Sequence, residues 1–325
     1  MIRGRIESLR KNMKEHGIDA YIIPSSDNHQ SEYVGEFFKS RAYISGFTGS
    51  AGVLVVTMEE AGLWTDGRYF IQAESQLRDT GIKLFKMGEE GVPTTEEYIV
   101  NTMKENSVLG FDGRLISAKE GNDLKEKLRS KNVSIKYEYD LVDKVWEDRP
   151  SLSGEKAFLL NIKYAGETFS SKLKRLRDEM KLKGANVHVI TTLDDIAWLF
   201  NIRGRDVKYT PVVLSYALIT LDEVYLFINE DKLNEEIITE LSKENVIIKP
   251  YDSIYEFVKS INLDEKILLD ENKVSYSIYN NLPREVKKIN GFNPTMNFKA
   301  VKNNIELENI RNSHLKDGVA FTKFM

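Results

Sequence analysis

Apolar positions along this chain switch between two periods. Ile2, Ile6, Leu9 and Met13 recur as one helical face, and Gly17 follows as a C-terminal stop. Residues 20–23, Ala-Tyr-Ile-Ile, form a short apolar run of buried-strand type, broken by Pro24-Ser25-Ser26-Asp27. Residues 52–57 and 61–65 read as the two arms of a β-hairpin across the polar tip Met58-Glu59-Glu60. From Arg68 the period becomes helical, with Tyr69, Phe70 and Ala73 near Leu77. Strands at 82–85, 108–111 and 133–137 then alternate with helices at 94–104 and from Ser117-Ala118-Lys119-Glu120, a capping-box pattern. Strands alternating with helices predict an α/β class.

The polar stretch 147–154 holds one proline and one glycine and predicts a domain boundary. Beyond it the opening pattern returns. Residues 8–17 read SLRKNMKEHG and residues 175–184 read RLRDEMKLKG, with five of ten positions identical. Each is followed by a strand (20–23, 187–190) and then by an aspartate at the same offset, Asp27 and Asp194. The offset, 175 − 8 = 167 residues, is too long for a solenoid and points to duplication of a whole domain. A helix at 195–201, a hairpin of 211–220 with 224–229, helices at 230–242 and 253–261, and strands at 246–248 and 267–269 fill the second half. From Asn293-Pro294 the chain runs into a helix at 306–325 that ends without a C-cap, the expectation for a piece of a longer protein.

The 325 residues, 41% of them hydrophobic, suffice for two ordinary domains. A net charge of −4 argues against a nucleic-acid partner. Cysteine is absent, which excludes disulfides and thiolate metal sites. No apolar run has the length of a membrane span, and the N-terminus lacks the apolar core of a signal peptide, so a soluble cytoplasmic protein with no membrane contact is expected.

Four histidines, His16, His29, His188 and His314, show no ligand spacing, and no serine or cysteine nucleophile is paired with a base. His16 and His188 read as structural and His314 as packing. His29 differs, lying in the polar segment Asn28-His29-Gln30-Ser31-Glu32-Tyr33. Residues 46–52 hold three glycines, but lack the Gly-Lys-Ser/Thr ending and precede a strand, so they suit close backbone approach better than phosphate binding. Trp64-Thr65-Asp66-Gly67-Arg68-Tyr69-Phe70 sets a guanidinium where a strand hands over to a helix, beside a carboxylate and an aromatic ring. Arg68 either braces the turn against Asp66 or meets a ligand, since strand ends in α/β folds are where ligands bind.

These segments resemble a known family. Residues 22–33, the loop Ser45-Gly46-Phe47-Thr48-Gly49-Ser50-Ala51-Gly52 and the stretch 64–70 closely resemble the first domain of Xaa-Pro aminopeptidases (aminopeptidase P) of the three-domain cytosolic type. Residues 141–150 look like that family's inter-domain junction, 193–204 like its second domain, and 299–303 with 317–320 like the start of its third. Thr48 stands where relatives often carry Asp. The resemblance implies two tandem creatinase/prolidase N-terminal-like domains, each a mixed β-sheet flanked by helices, at 1–150 and 151–300. Residues 301–325 would be the first helix of a pita-bread catalytic domain.

It further implies removal of an N-terminal residue when proline is second, by two divalent metal ions, usually manganese. Their ligands, two Asp, a His and two Glu, belong to that third domain. Hence this piece is expected to hold no catalytic residue, metal or cofactor. Arg68 matches a family residue that binds substrate and Glu32 one needed for activity, and with His29, Asp66 and Tyr69 they make up the expected substrate-binding set. The implied partners are a peptide with proline second and, for the whole protein, a second copy as homodimer. The alternative is a non-catalytic peptide-binding module of the kind some chromatin factors carry.

Overall fold

The structure, a computed structural model, describes all 325 residues. They form two compact units, Met1–Ser153 with Glu271–Asn280, and Gly154–Asp270 with Asn281–Met325. Helix α1 (Ile2–Glu15) opens the first, followed by β1 (Ala20–Pro24), α2 (Ser40–Ser45), β2 (Val53–Thr57), β3 (Ala61–Thr65), α3 (Phe70–Gln76), β4 (Lys83–Lys86), α4 (Thr95–Thr102), β5 (Val108–Phe111), α5 (Ala118–Leu128) and β6 (Ser134–Lys136). The sheet order is β4-β3-β2-β1-β5-β6. The three strands β1, β2 and β3 pair antiparallel, and β4, β5 and β6 join in parallel.

Side chains alternate across this sheet. Tyr21 and Ile23 join Leu54, Val56 and Leu63 under Ile6, Leu9 and Met13 of α1. Ala20 and Ile22 join Val55, Trp64, Phe85 and Phe111 on the opposite face, which α4 and α5 cover. Burial on both faces explains why 20–23 reads as unbroken apolar sequence. Pro24, expected to break β1, is its last residue and pairs with Val53. The β5 ladder has already ended at Ile22, so no pairing donor is missed there. Thr94 and Glu97 complete a capping box on α4, and Ser117 caps α5.

Residues 271–280 pack within this first unit. Ser117 bridges Ser275, the Ala118 amide donates to the Val274 carbonyl at 2.8 Å, and the Tyr276 amide donates to Ile116 at 2.8 Å. The Tyr276 ring is 2% exposed. It meets Phe111 and Tyr137 edge-on at 5.5 and 5.0 Å. It also lies over Gly121, where a Cβ would come within 2.2 Å of it.

The second unit contains β7 (Phe158–Leu159), α6 (Ile162–Ala165), α7 (Phe169–Leu182), β8 (Val187–Ile190), α8 (Leu193–Phe200), β9 (Ile202–Arg203), β10 (Ser215–Thr220), β11 (Val224–Ile228), α9 (Glu235–Ser242), β12 (Ile247–Lys249), α10 (Ile254–Phe257) and β13 (Lys266–Leu269). Helix α11 (Tyr276–Asn281) precedes β14 (Lys287–Asn290), α12 (Pro294–Ala300) and the long, exposed α13 (Asn304–Phe324). The sheet order is β12-β11-β10-β8-β13-β14, with the same sequence of parallel and antiparallel pairings as the first. The repeat is legible residue by residue. Leu9, Met13 and Ile23 correspond to Leu176, Met180 and Ile190, each 167 positions on (176 − 9, 180 − 13, 190 − 23), and both sets bury a helix against the equivalent sheet face. Ile23 pairs with Leu54 and that with Leu63; Ile190 pairs with Ala217 and that with Leu226. Two chance helices would not share strand order, sense and facing, so the halves are copies of one domain.

The copies differ from the sequence expectation in detail. Residues 211–214 stay outside β10 because the Leu214 amide donates to the Asp206 carboxylate at 2.7 Å instead of a ladder partner. The expected helix at 230–242 is a 3-10 turn, Glu230–Lys232, followed by α9, which Asn234 caps separately. The one at 253–261 is a single α-turn between 3-10 turns. Pro294 opens the unanticipated α12. The aspartate repeat is shifted in burial: Asp27 is fully buried, whereas Asp194 is exposed and Asp195 takes the interior. His188 is buried, its ring nitrogens 2.9 Å from the Leu268 carbonyl and 3.0 Å from Asn293 Oδ1. Burial pushes its pKa below the usual histidine value.

Two cations are enclosed in this unit. Lys232 pairs with Asp206, the side chains 3% and 0% exposed. Lys172 donates to the Trp198 carbonyl at 2.8 Å and to Asn201 Oδ1 at 2.7 Å. With no carboxylate in hydrogen-bonding reach, burial lowers its pKa to about 8.

Candidate functional site

The site grows out of the C-terminal end of β3. Thr65 is anchored by its hydroxyl, which donates to the Ala51 carbonyl at 2.7 Å. Asp66 then folds back: its Oδ1 accepts the Arg68 backbone N–H at 3.0 Å, closing a turn over Gly67. The same carboxylate accepts Arg68 Nε at 2.8 Å and Nη2 at 2.8 Å, a two-point fork. Helix α3 starts two residues later, at Phe70. The pair lies at the surface, with Arg68 69% and Asp66 36% exposed. Hydrogen bonds from Arg68 hold the Asp66 carboxyl down at about 2, so it stays ionised through any physiological pH. Hydrogen bonding to Asp66 raises the Arg68 pKa further.

Tyr69 ties this turn to the glycine-rich loop. Its hydroxyl is 2.6 Å from Ser50 Oγ, its ring meets Phe47 edge-on at 6.0 Å, and the Arg68 guanidinium carbon lies 5.2 Å from its centroid. The loop is held from inside by Arg41, 5% exposed. Arg41 donates to Ser25 Oγ at 2.7 Å, to the Phe47 carbonyl at 2.7 Å and to the Gly49 carbonyl. Ser25 Oγ donates onward to the Gly52 carbonyl at 2.7 Å. Burial lowers the Arg41 pKa to about 10. The glycines serve close approach, as expected: a Cβ on Gly49 would lie 2.3 Å from the Phe47 ring, and one on Gly52 2.8 Å from the Trp64 carbonyl oxygen. Sequence reasoning missed Arg41, because its three acceptors are dispersed along the chain.

Among the anticipated residues, Asp66, Arg68 and Tyr69 come together. Tyr33 is 58% exposed. Glu32 is exposed and makes no ion pair with Arg68. His29 is 1% exposed. The buried Asp27 winds that segment by accepting the His29 and Ser31 amides at 2.9 and 3.0 Å, which turns the imidazole inward.

The same turn occurs twice more, and the comparison bears on Arg68. Asp112-Gly113-Arg114, at the end of β5, repeats the fork, with contacts of 3.0, 2.9 and 2.7 Å. There, however, Asp112 is 6% and Arg114 35% exposed, and Asp140 lies 3.5 Å from the guanidinium as well. In the second unit Leu226 occupies the place of Leu63, so Asn229 answers to Asp66 and Asp231 to Arg68 (226 − 63 = 229 − 66 = 231 − 68 = 163). Asn229 Oδ1 accepts the Asp231 amide at 3.1 Å. The turn therefore closes on the side-chain oxygen alone, with an acid in the arginine's place. Of the two forks, the one at Arg68 is the more exposed, and the equivalent turn of the second unit closes without an arginine.

Fold and sequence place the chain in a family. Residues 5–145 and 148–306 each match the creatinase/prolidase N-terminal domain. The chain belongs to that family and carries its domain in tandem. It is 40% identical over 98% of its length to a probable Xaa-Pro aminopeptidase P of Laccaria bicolor, covering 50% of that protein. It is 37% identical over its whole length to Xaa-Pro aminopeptidase 1 of Dictyostelium discoideum, covering 53% of it. Among solved structures, X-prolyl aminopeptidase from Caenorhabditis elegans, described as a cytosolic enzyme with a di-nuclear active site, superposes with a TM-score of 0.94 at 33% identity, over all of this chain and 55% of that one. The chain spans about half the length of the curated relatives it matches. No three His, Cys, Asp or Glu side chains converge as a metal site. No helix is long and apolar enough to cross a membrane.

Proposed function

We propose that this chain is the non-catalytic amino-terminal part of a metal-dependent Xaa-Pro aminopeptidase, which releases the N-terminal residue of peptides with proline second. Its role is to cap the active-site cleft and contact the substrate. Alignment over 98% or more of the chain to proteins named Xaa-Pro aminopeptidase carries the activity class. The exposed Arg68 fork on a turn that needs no arginine carries the substrate contact. Two divalent metals, manganese in this reading, and their ligands belong to the other half of the protein. The whole protein is read as cytoplasmic and homodimeric, with no nucleic-acid or membrane partner.

Three guanidinium N–H groups remain after Asp66 has taken Nε and one Nη2 donor. They can donate to a peptide carbonyl from a position that Asp66 and Tyr69 hold fixed. In this reading Glu32 and His29 belong to the same substrate-binding set. In the peptidase carrying this chain, Arg68→Ala should lower kcat/KM on a Xaa-Pro peptide by roughly 30- to 1000-fold. Arg68→Lys keeps the charge but loses the fork and should recover little of it. Both variants should melt like wild type. Near-normal turnover with a large drop in Tm would return Arg68 to a bracing role. The 325-residue chain alone, given Mn²⁺ and a Xaa-Pro peptide, should release no residue; metal-dependent release would overturn the assignment as non-catalytic.

A further inference from the structure

We infer that Asp66 is a specificity determinant: by cancelling the charge of Arg68 it removes the preference this contact would otherwise have for a free terminal carboxylate, so that a neutral peptide carbonyl is accepted equally well. This rests on the reading of Arg68 as a substrate contact. The carboxylate and guanidinium meet at two points of 2.8 Å, so the ligand faces a pair without net charge. Lys86, which pairs with Thr65 across the sheet, is itself paired with Glu74 at 2.6 Å. An incoming carboxylate would be attracted by Arg68 and repelled by Asp66 a few ångströms behind it. A carbonyl accepts the remaining N–H donors without that repulsion. An unpaired arginine on an exposed turn would do the reverse and prefer the anion.

The protein contains its own control for the test. Asn229 holds the equivalent turn in the second unit with a 3.1 Å bond, so Asp66→Asn removes the charge and keeps the acceptor that shapes the turn. Di-, tri- and tetrapeptides beginning Xaa-Pro would be compared as free acids and as C-terminal amides, at low and high salt, in the peptidase carrying this chain. Wild type should turn over each acid and its amide with similar kcat/KM at either salt. Asp66→Asn should raise the acid over the amide by roughly three- to tenfold for at least one length, an advantage that shrinks with salt. Asp66→Ser, which also offers an oxygen to the Arg68 amide, should behave alike, so the outcome does not hang on one variant's folding. Unchanged acid-to-amide ratios in both variants, with normal melting, would overturn the inference, as would a salt-sensitive preference for the acid in wild type. Arg68→Ala separates the two readings. If it leaves every peptide at the wild-type rate, the substrate contact itself is wrong. If it slows all of them while the Asp66 variants leave the ratios alone, only the role of Asp66 falls.

Discussion

Lys232→Met is expected to destabilise the second unit by about 3–5 kcal/mol, the usual cost of stranding a buried charge. Asp206 is fully enclosed, and apart from Lys232 its carboxylate receives the Leu214 amide on Oδ2. Its Oδ1 has no hydrogen-bond partner. Methionine fills much of the lysine's volume but supplies no cation, leaving a buried anion without its partner. Adding Asp206→Asn should recover most of the loss, because a neutral amide oxygen still takes the Leu214 N–H and costs far less to bury. Urea denaturation of both variants and the double variant measures this. A loss below about 1 kcal/mol for Lys232→Met, or no recovery in the double variant, would mean that the pair is relieved by rearrangement.

Tyr276→Ala should destabilise the first unit by a similar amount, about 3–5 kcal/mol, although residue 276 lies far along the chain from the rest of that unit. Its ring fills the space between Phe111, Tyr137 and Gly121. Gly121→Ala attacks the same contact from the other side and should cost about 1–3 kcal/mol through overpacking. Amide hydrogen exchange reports where the loss falls. Faster exchange in β5 and α5, with β10 and β11 unchanged, is the expected pattern. A loss confined to the second unit would contradict the assignment of 271–280 to the first.

What could be read from the sequence was local. The β2–β3 hairpin, the capped starts of α4 and α5, and the helix–strand repeat each declare themselves within about fifteen residues, where periodicity and turn chemistry act. Asp66, Arg68 and Tyr69 were legible for the same reason, being adjacent in sequence. What escaped depends on distant partners. Residues 211–214 look like strand, yet Asp206 takes an amide from them. Asp112-Gly113-Arg114 has the same three residues as the candidate site, but Asp140 and deeper burial set it apart. His29 stands out in sequence for the polar segment around it, and the turn wound by Asp27 leaves it 1% exposed. No local pattern announces that 271–280 packs with the first unit.

That last placement has a consequence for the nascent chain. Strand β6, the last of the first sheet, ends at Lys136, and Tyr276 follows 140 residues later (276 − 136). At roughly 5–20 residues per second, synthesis takes about 7–28 s to cover that distance. For that interval the sheet can be complete while Phe111 and Gly121 still lack their ring and Ser117 lacks its bridge to Ser275. A growing polypeptide thus carries an open apolar notch through much of its translation, a natural target for chaperones and for premature self-association.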